Sequence, residues 1–260
     1  MSFYAELRHW FMALFRPHRM VSEVLDMGIR KKTAMVGTYI SVILCFIIVT
    51  YGASIATTTV AQLIPLERDF TIVIDAGHGG VDGGATSVSG MQESQYNLEI
   101  ALRLDDLFHL LGFQTKMIRK TDISVYTSGQ TIAAKKISDL RQRVRLVNET
   151  EDAILLSIHQ NTFSDSKYHG AQVFYGPKGE SMDLADAFQE EFRRTINPDS
   201  QRQIKKADGI YLMQHINTTG VLVECGFLSN PEEDALLRTP EYQKKICCIL
   251  ATVTGRFLTK

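Results

Sequence analysis

Residues 71–80 read TIVIDAGHGG, and their reading decides the fold. Thr71 to Asp75 is a short, β-branched apolar run closed by Ala-Gly-His-Gly-Gly, the pattern of a buried strand entering a tight turn. A strand apolar on both faces belongs in a sheet covered on both sides. Elements of helical period follow. Leu98, Ala101, Leu102 and the run from Leu107 give one apolar face over 94–111, closed by Gly112. Phe113 to Ile118 reads as a strand, 136–149 as a charged helix, Ala153 to Ile158 as a second buried strand and Ala171 to Tyr175 as another. A helix is expected over 182–196, and short strands at 210–213 and 220–223. Asn230-Pro231 reads as a helix start, and a last helix runs over 241–257. Strands alternating with helices predict a three-layer α/β domain with a mostly parallel or mixed central sheet flanked by helices.

The chain has 260 residues, 45% of them hydrophobic, enough for one sizeable core and extra segments. A net charge of −1 gives no general attraction for nucleic acid, so none is expected as a partner. Four cysteines, Cys45, Cys225, Cys247 and Cys248, form neither a disulfide framework nor a C-x-x-C metal pair.

No charged residue occurs from Thr33 to Leu66, and Ala34 to Gly52 is long enough to span a bilayer as a helix. Basic residues precede this run, which predicts one transmembrane helix over 33–56 with the following domain outside the membrane. A cleavable leader ending near Ser54-Ile55-Ala56 is the rival reading. Residues 1–32 carry Phe3, Leu7, Trp10, Phe11, Leu14 and Phe15 at helical spacing, read as an amphipathic cytoplasmic segment at the membrane surface. Residues 57–69 read as a tether, and 70–260 as the soluble domain.

In α/β sheets functional residues collect beyond the carboxyl ends of strands. His78 follows strand 71–75, His159 follows strand 153–158, and Glu224 ends strand 220–223. Glu93 stands just ahead of a helix, where a carboxylate also suits the helix dipole. IDAGHGG admits two chemistries, a phosphate cradle or a metal ligand. The spacing is neither G-x-x-x-x-G-K-[ST] nor G-x-G-x-x-G, which weakens the first. A catalytic zinc takes three protein ligands, often two His and one carboxylate, and His78, Glu93 and His159 supply such a set. Spacing alone does not separate them from scattered polar residues. His9, His18, His109, His169 and His215 read as structural or exposed.

Five blocks together resemble the zinc-dependent N-acetylmuramoyl-L-alanine amidases of amidase type 3: IDAGHGGVDGGA (74–85), GMQESQYNLEIALRL (90–104), RVRLVN (143–148), LLSIHQN (155–161) and VLVECGFLSNPEE (221–233). The resemblance implies one Zn2+ held by His78, Glu93 and His159, with Glu224 as catalytic acid/base. Asp75, Asn161 and Arg143 are candidates for substrate-binding or supporting residues, with buried structural roles as the alternative. The substrate implied is peptidoglycan, cut between the lactyl group of N-acetylmuramic acid and L-alanine. The stretch TIAAKKISDLRQRVRLVNE (131–149) resembles the germination-specific, spore-cortex members, which act in muramic-δ-lactam formation. A general cell-wall or division amidase and a non-catalytic peptidoglycan-binding module are the alternatives. With the anchor, the expected location is the cell envelope or the forespore intermembrane space. The stretch between His159 and Glu224 is filled by expected elements, leaving no room for an inserted plug helix. Control would then come from elsewhere, and the reading leaves room for an activating or zinc-loading partner protein.

Overall fold

In the computed structural model, residues 36–48 and 70–259 are described. The run TIVIDA forms strand β1 (Thr71–Ala76), with every residue after Thr71 buried. Chain order continues with α1 (Glu93–Leu110), β2 (Gln114–Met117), α2 (Ile132–Asn148), β3 (Ala153–Asn161), β4 (Gln172–Tyr175) and α3 (Ser181–Thr195). Then come β5 (Lys205–Lys206), α4 (Tyr211–His215), β6 (Thr219–Phe227), α5 (Pro231–Leu237) and α6 (Pro240–Leu258). The helix starts are chemically marked. Thr131, Asn230 and Thr239 each accept backbone N–H bonds of the first turn through their side chains, and proline follows the last two caps.

The six strands form one sheet in the order β2-β1-β3-β6-β4-β5. β2, β1, β3 and β6 run parallel, while β4 is antiparallel to β6. The sheet is therefore mixed. Helices α1, α3 and α6 pack together on one side, and α2 packs with α4. Side-chain parity sorts the faces. Val73, Leu155 and Leu222 join Leu212, Met213 and Ile216 in one buried cluster, with Val144 of α2 packed against it. Asp75, Ser157, His159 and Glu224 lie at even offsets from these strand residues, so they share the α2 face near the carboxyl ends of β1, β3 and β6.

Two expectations change. The stretch 210–213, read as a strand, enters a single helical turn, α4. Tyr211 and His215 stack at i,i+4 with ring centroids 4.0 Å apart, while Leu212 and Met213 fill the core. A four-residue apolar run carries too little period to separate strand from helix. Among the described residues no helix is long and apolar enough to cross a membrane. Of the expected anchor over 33–56, a helix over 36–48 is described. The transmembrane helix, the membrane partner and the outward, membrane-anchored location drawn from it are corrected accordingly. Residues 33–35 and 49–56 of that run lie outside the described residues. The amphipathic segment in 1–32, the cleavage site at 54–56 and the tether at 57–69 lie outside the described residues.

Candidate metal centre

The loop after β1 carries His78 in the left-handed region, φ 60°, followed by Gly79 and Gly80, also at positive φ. A non-glycine residue there costs on the order of 1–2 kcal/mol and needs holding. Two buried guanidinium groups do the holding. Arg143 donates to the carbonyls of His78 (2.6 Å) and Ala76 (3.0 Å) and to the Asp75 carboxylate. Arg119 donates to the carbonyls of Ala76 (2.8 Å), Gly77 (3.0 Å) and Ser94 (2.8 Å). Ser157 completes the support with a hydroxyl bond to Asp75 of 2.7 Å. Burial pushes the Asp75 carboxyl up, but Arg143, His159 and Ser157 outweigh it and hold Asp75 below its usual range.

Glu93, the first residue of α1, is buried. One carboxylate oxygen accepts from His159 Nδ1 at 2.9 Å, Asn97 Nδ2 at 3.2 Å and Gln160 N–H at 3.3 Å. The other accepts from Ala85 N–H at 3.0 Å and lies 3.3 Å from His78 Nε2. Burial alone would raise Glu93, yet the two histidines hold it far below the carboxylate range. Burial likewise lowers His78, but Glu93 and then Asp82 lift it to about 9. His78 Nδ1 meets Asp82 Oδ2 at 2.9 Å, and Lys136 Nζ lies 2.9 Å from the other Asp82 oxygen. Asp82 thereby fixes which ring nitrogen of His78 faces Glu93. The His159 ring lies against Gly77 and stands edge-on to His78, centroids 5.0 Å apart.

One ligand atom each from His78, Glu93 and His159 lies within 4.8 Å of the others. Two imidazoles and a carboxylate, with negative charge in excess around the rings, form the donor set of a catalytic zinc with an open position. Glu224 pairs in register with His159 on the neighbouring strand. It is half-buried, yet its Oε2 is sealed and without a hydrogen-bond partner among the described residues. Burial lifts the Glu224 carboxyl to about 7, Glu93 adding to the rise and both histidines opposing it. An orphaned acid beside the two-His, one-Glu set fits a metal-assisted reaction better than a structural ion. A cavity of about 340 Å3 opens beside His78 and His159, with Leu140, Ile210, Leu212 and Leu222 among its walls.

Of the other candidates, Arg143 grips the loop from beneath, and the Asn161 carbonyl accepts from Leu228 N–H at 2.8 Å, tying β3 to the turn after β6. His215 bonds the Tyr211 carbonyl at 2.8 Å, a helix-internal role. Sequence reading missed Gly77, Asp82, Arg119 and Lys136. Asp82 lay inside the quoted first block, four residues after His78. Arg119, in IRKTD, looked like any charge at a strand end. Replacing Asp82 by Asn is expected to lower zinc affinity by about 10–100-fold with the fold intact, because the ring loses its orienting carboxylate. Zinc titration against a chelator, with circular dichroism as control, checks it.

Fold and site thus define a zinc-type hydrolase on the rim of an α/β sheet. The chain belongs to the N-acetylmuramoyl-L-alanine amidase family Amidase_3, whose model matches residues 72–252; it is a peptidoglycan amidase. It is 39% identical over 191 residues to the germination-specific N-acetylmuramoyl-L-alanine amidase of Bacillus subtilis (strain 168), covering 73% of this chain and 80% of that protein. It is 27% identical to the amidase LytC of the same organism, over 77% of this chain and 38% of LytC. Among solved structures it resembles the CwlD amidase from Clostridioides difficile, determined in complex with the GerS lipoprotein. That match has a TM-score of 0.70 and 36% identity over 73% of this chain and 98% of that one.

Proposed function

We propose that the domain from Phe70 onward hydrolyses the amide between the lactyl group of N-acetylmuramic acid and L-alanine, stripping peptide side chains from spore-cortex peptidoglycan on the way to muramic-δ-lactam. The observation that carries the chemistry is Glu224, an acid with one sealed, unpartnered oxygen in register with His159. Zinc, when held by His78, Glu93 and His159, supplies Lewis-acid polarisation of the carbonyl and a lowered pKa for water. Glu224 takes the proton from the attacking water and returns it to the L-alanine nitrogen as that bond breaks. A carboxyl poised near neutrality suits both transfers. Asp82 orients His78, while Arg119 and Arg143 fix the loop that presents it.

The cortex assignment is supported by the 39% identity to the germination-specific relative, against 27% for LytC. Two measurements test it. Mass analysis of sacculi digested by the zinc-loaded chain is expected to show free stem peptides beginning with L-alanine. Spores lacking the protein are expected to lose muramic-δ-lactam, while vegetative walls keep their composition. Altered vegetative muropeptides with normal cortex lactam would favour a general cell-wall amidase.

A further inference from the structure

Beyond Glu224 the rim carries a charge that the chemistry above does not use. Gln172 of β4 pairs in register with Glu224 across the antiparallel ladder, so the two residues share a face. The Gln172 side-chain oxygen accepts from Arg202 Nη1 at 3.1 Å, and Arg202 Nε donates to the His169 carbonyl at 2.9 Å. The guanidinium lies 4.4 Å from the Phe227 ring centroid and 6.0 Å from that of Tyr168. Phe163, four residues past His159, packs edge-on to Tyr168 with centroids 4.9 Å apart, and is 55% exposed.

Arg202 is thus held from two sides and laid on an aromatic face, half-buried, without an acidic partner within ion-pair distance among the described residues. By contrast, Arg145, Arg193, Arg194 and Arg238 are spent on local helical pairs, with Glu149, Glu190, Glu191 and Asp234. Glu233, whose field reaches Arg202, spends its two oxygens on the N–H groups of Gly170 (2.9 Å) and Phe227 (2.7 Å). A planar, fixed guanidinium without an ion-pair contact among the described residues is suited to a carboxylate from outside.

We propose that Arg202, backed by Phe227 and Tyr168, is a subsite for a carboxylate of the peptide stem, namely the free α-carboxylate of the residue after L-alanine. The assignment rests on the amidase reading above. In peptidoglycan that residue is D-glutamate joined through its γ-carboxyl, which leaves the α-carboxylate free. It lies about 6–7 Å from the scissile nitrogen, at about 3.5 Å per extended residue. Glu224 and Gln172 stand directly opposite on one face of the ladder, and the guanidinium lies one hydrogen bond beyond the Gln172 side chain. A stem running from Glu224 toward β4 carries that carboxylate to the Arg202 side of the rim.

The test uses the zinc-loaded full chain and two synthetic N-acetylmuramoyl dipeptides, L-Ala-D-Glu with a free α-carboxylate and its α-carboxamide counterpart. Wild type is expected to show at least about 10-fold higher KM for the amide, with similar kcat. Arg202→Met is expected to raise KM for the acid to the amide's level, with kcat within about threefold, zinc content unchanged and the amide's KM unmoved. Arg202→Lys, which keeps charge without the fork, should fall between. Equal wild-type KM for acid and amide would overturn the subsite, needing no variant. So would Arg202→Met acting alike on both substrates, or acting through kcat with loss of zinc. Release of peptide from neither substrate by wild type would remove the bond assignment itself, and the subsite with it.

Discussion

Glu224→Gln is expected to keep its zinc and lose about 10^3-fold or more in kcat, within the range for removing a positioned acid/base. Glutamine matches glutamate in shape, so the ligands His78, Glu93 and His159 stay in place, and elemental analysis should show one zinc per chain. The second half of the expectation concerns stability. A carboxyl raised from 4.5 to about 7 binds its proton more tightly in the folded chain than in the unfolded one. In the metal-free protein its contribution is therefore intact below pH ~4.5, is lost as pH rises toward 7, and stays lost above that. That move corresponds to as much as about 3 kcal/mol at about 1.36 kcal/mol per unit. Glutamine carries no charge to bury. The chelator-treated variant should thus melt higher than wild type at pH 8 and alike at pH 4.5, while the zinc-loaded form is inactive. A variant that turns over muropeptide normally, or that melts lower than wild type at pH 8, would show that Glu224 is not the strained acid described here. Enzymes keep such groups against stability because the chemistry needs them.

The layers were legible where period and punctuation agreed. TIVID and AILLSI read as buried strands, and Asn230-Pro231 marks a helix start that the structure bears out. Parallel pairing of β1, β3 and β6 then brings His78, His159 and Glu224 to one rim. What was not legible depends on contacts between distant segments. Arg119 reaches back 43 residues to the Ala76 carbonyl, and nothing in IRKTD distinguishes it from a solvent-facing charge. Lys136 meets Asp82 only because α2 lies over that face of the sheet. The antiparallel turn of β4 against β6, which places Gln172 beside Glu224, has no signature in a four-residue strand.

Gly77→Ala is the substitution expected to do the most damage for its size. A Cβ at position 77 would lie 2.2 Å from His159 Nε2 and 2.3 Å from Cε1, well inside contact distance. Gly77 lies outside the positive-φ residues, so alanine meets no backbone objection there. The backbone cannot retreat, because its carbonyl accepts from Arg119 and from Asn97 Nδ2 (3.2 Å), and its N–H donates to the Ile158 carbonyl at 3.0 Å. The ring must therefore give way by on the order of 1.5 Å to reach ordinary carbon contact. That shift takes Nδ1 from its 2.9 Å approach to Glu93 and removes one of three ligands from position. Zinc affinity is expected to fall at least about 100-fold, and kcat/KM with it by about 10^3-fold, since small displacements at such sites are costly. The metal-free variant should lose only about 1–3 kcal/mol of stability, the usual cost of one overpacked methyl. Gly255→Ala in α6 is the matched control. Its Cβ would meet Phe113 at 3.5 Å, ordinary contact, and alanine is the better helix former by about 0.5–1 kcal/mol. Equal zinc affinity in Gly77→Ala and Gly255→Ala would mean that His159 is free to move without cost and that the glycine has no part in the centre. Loss confined to Gly77→Ala, at little cost in fold, would place the reason for a glycine before His78 in the packing of the second histidine, and not in the turn alone.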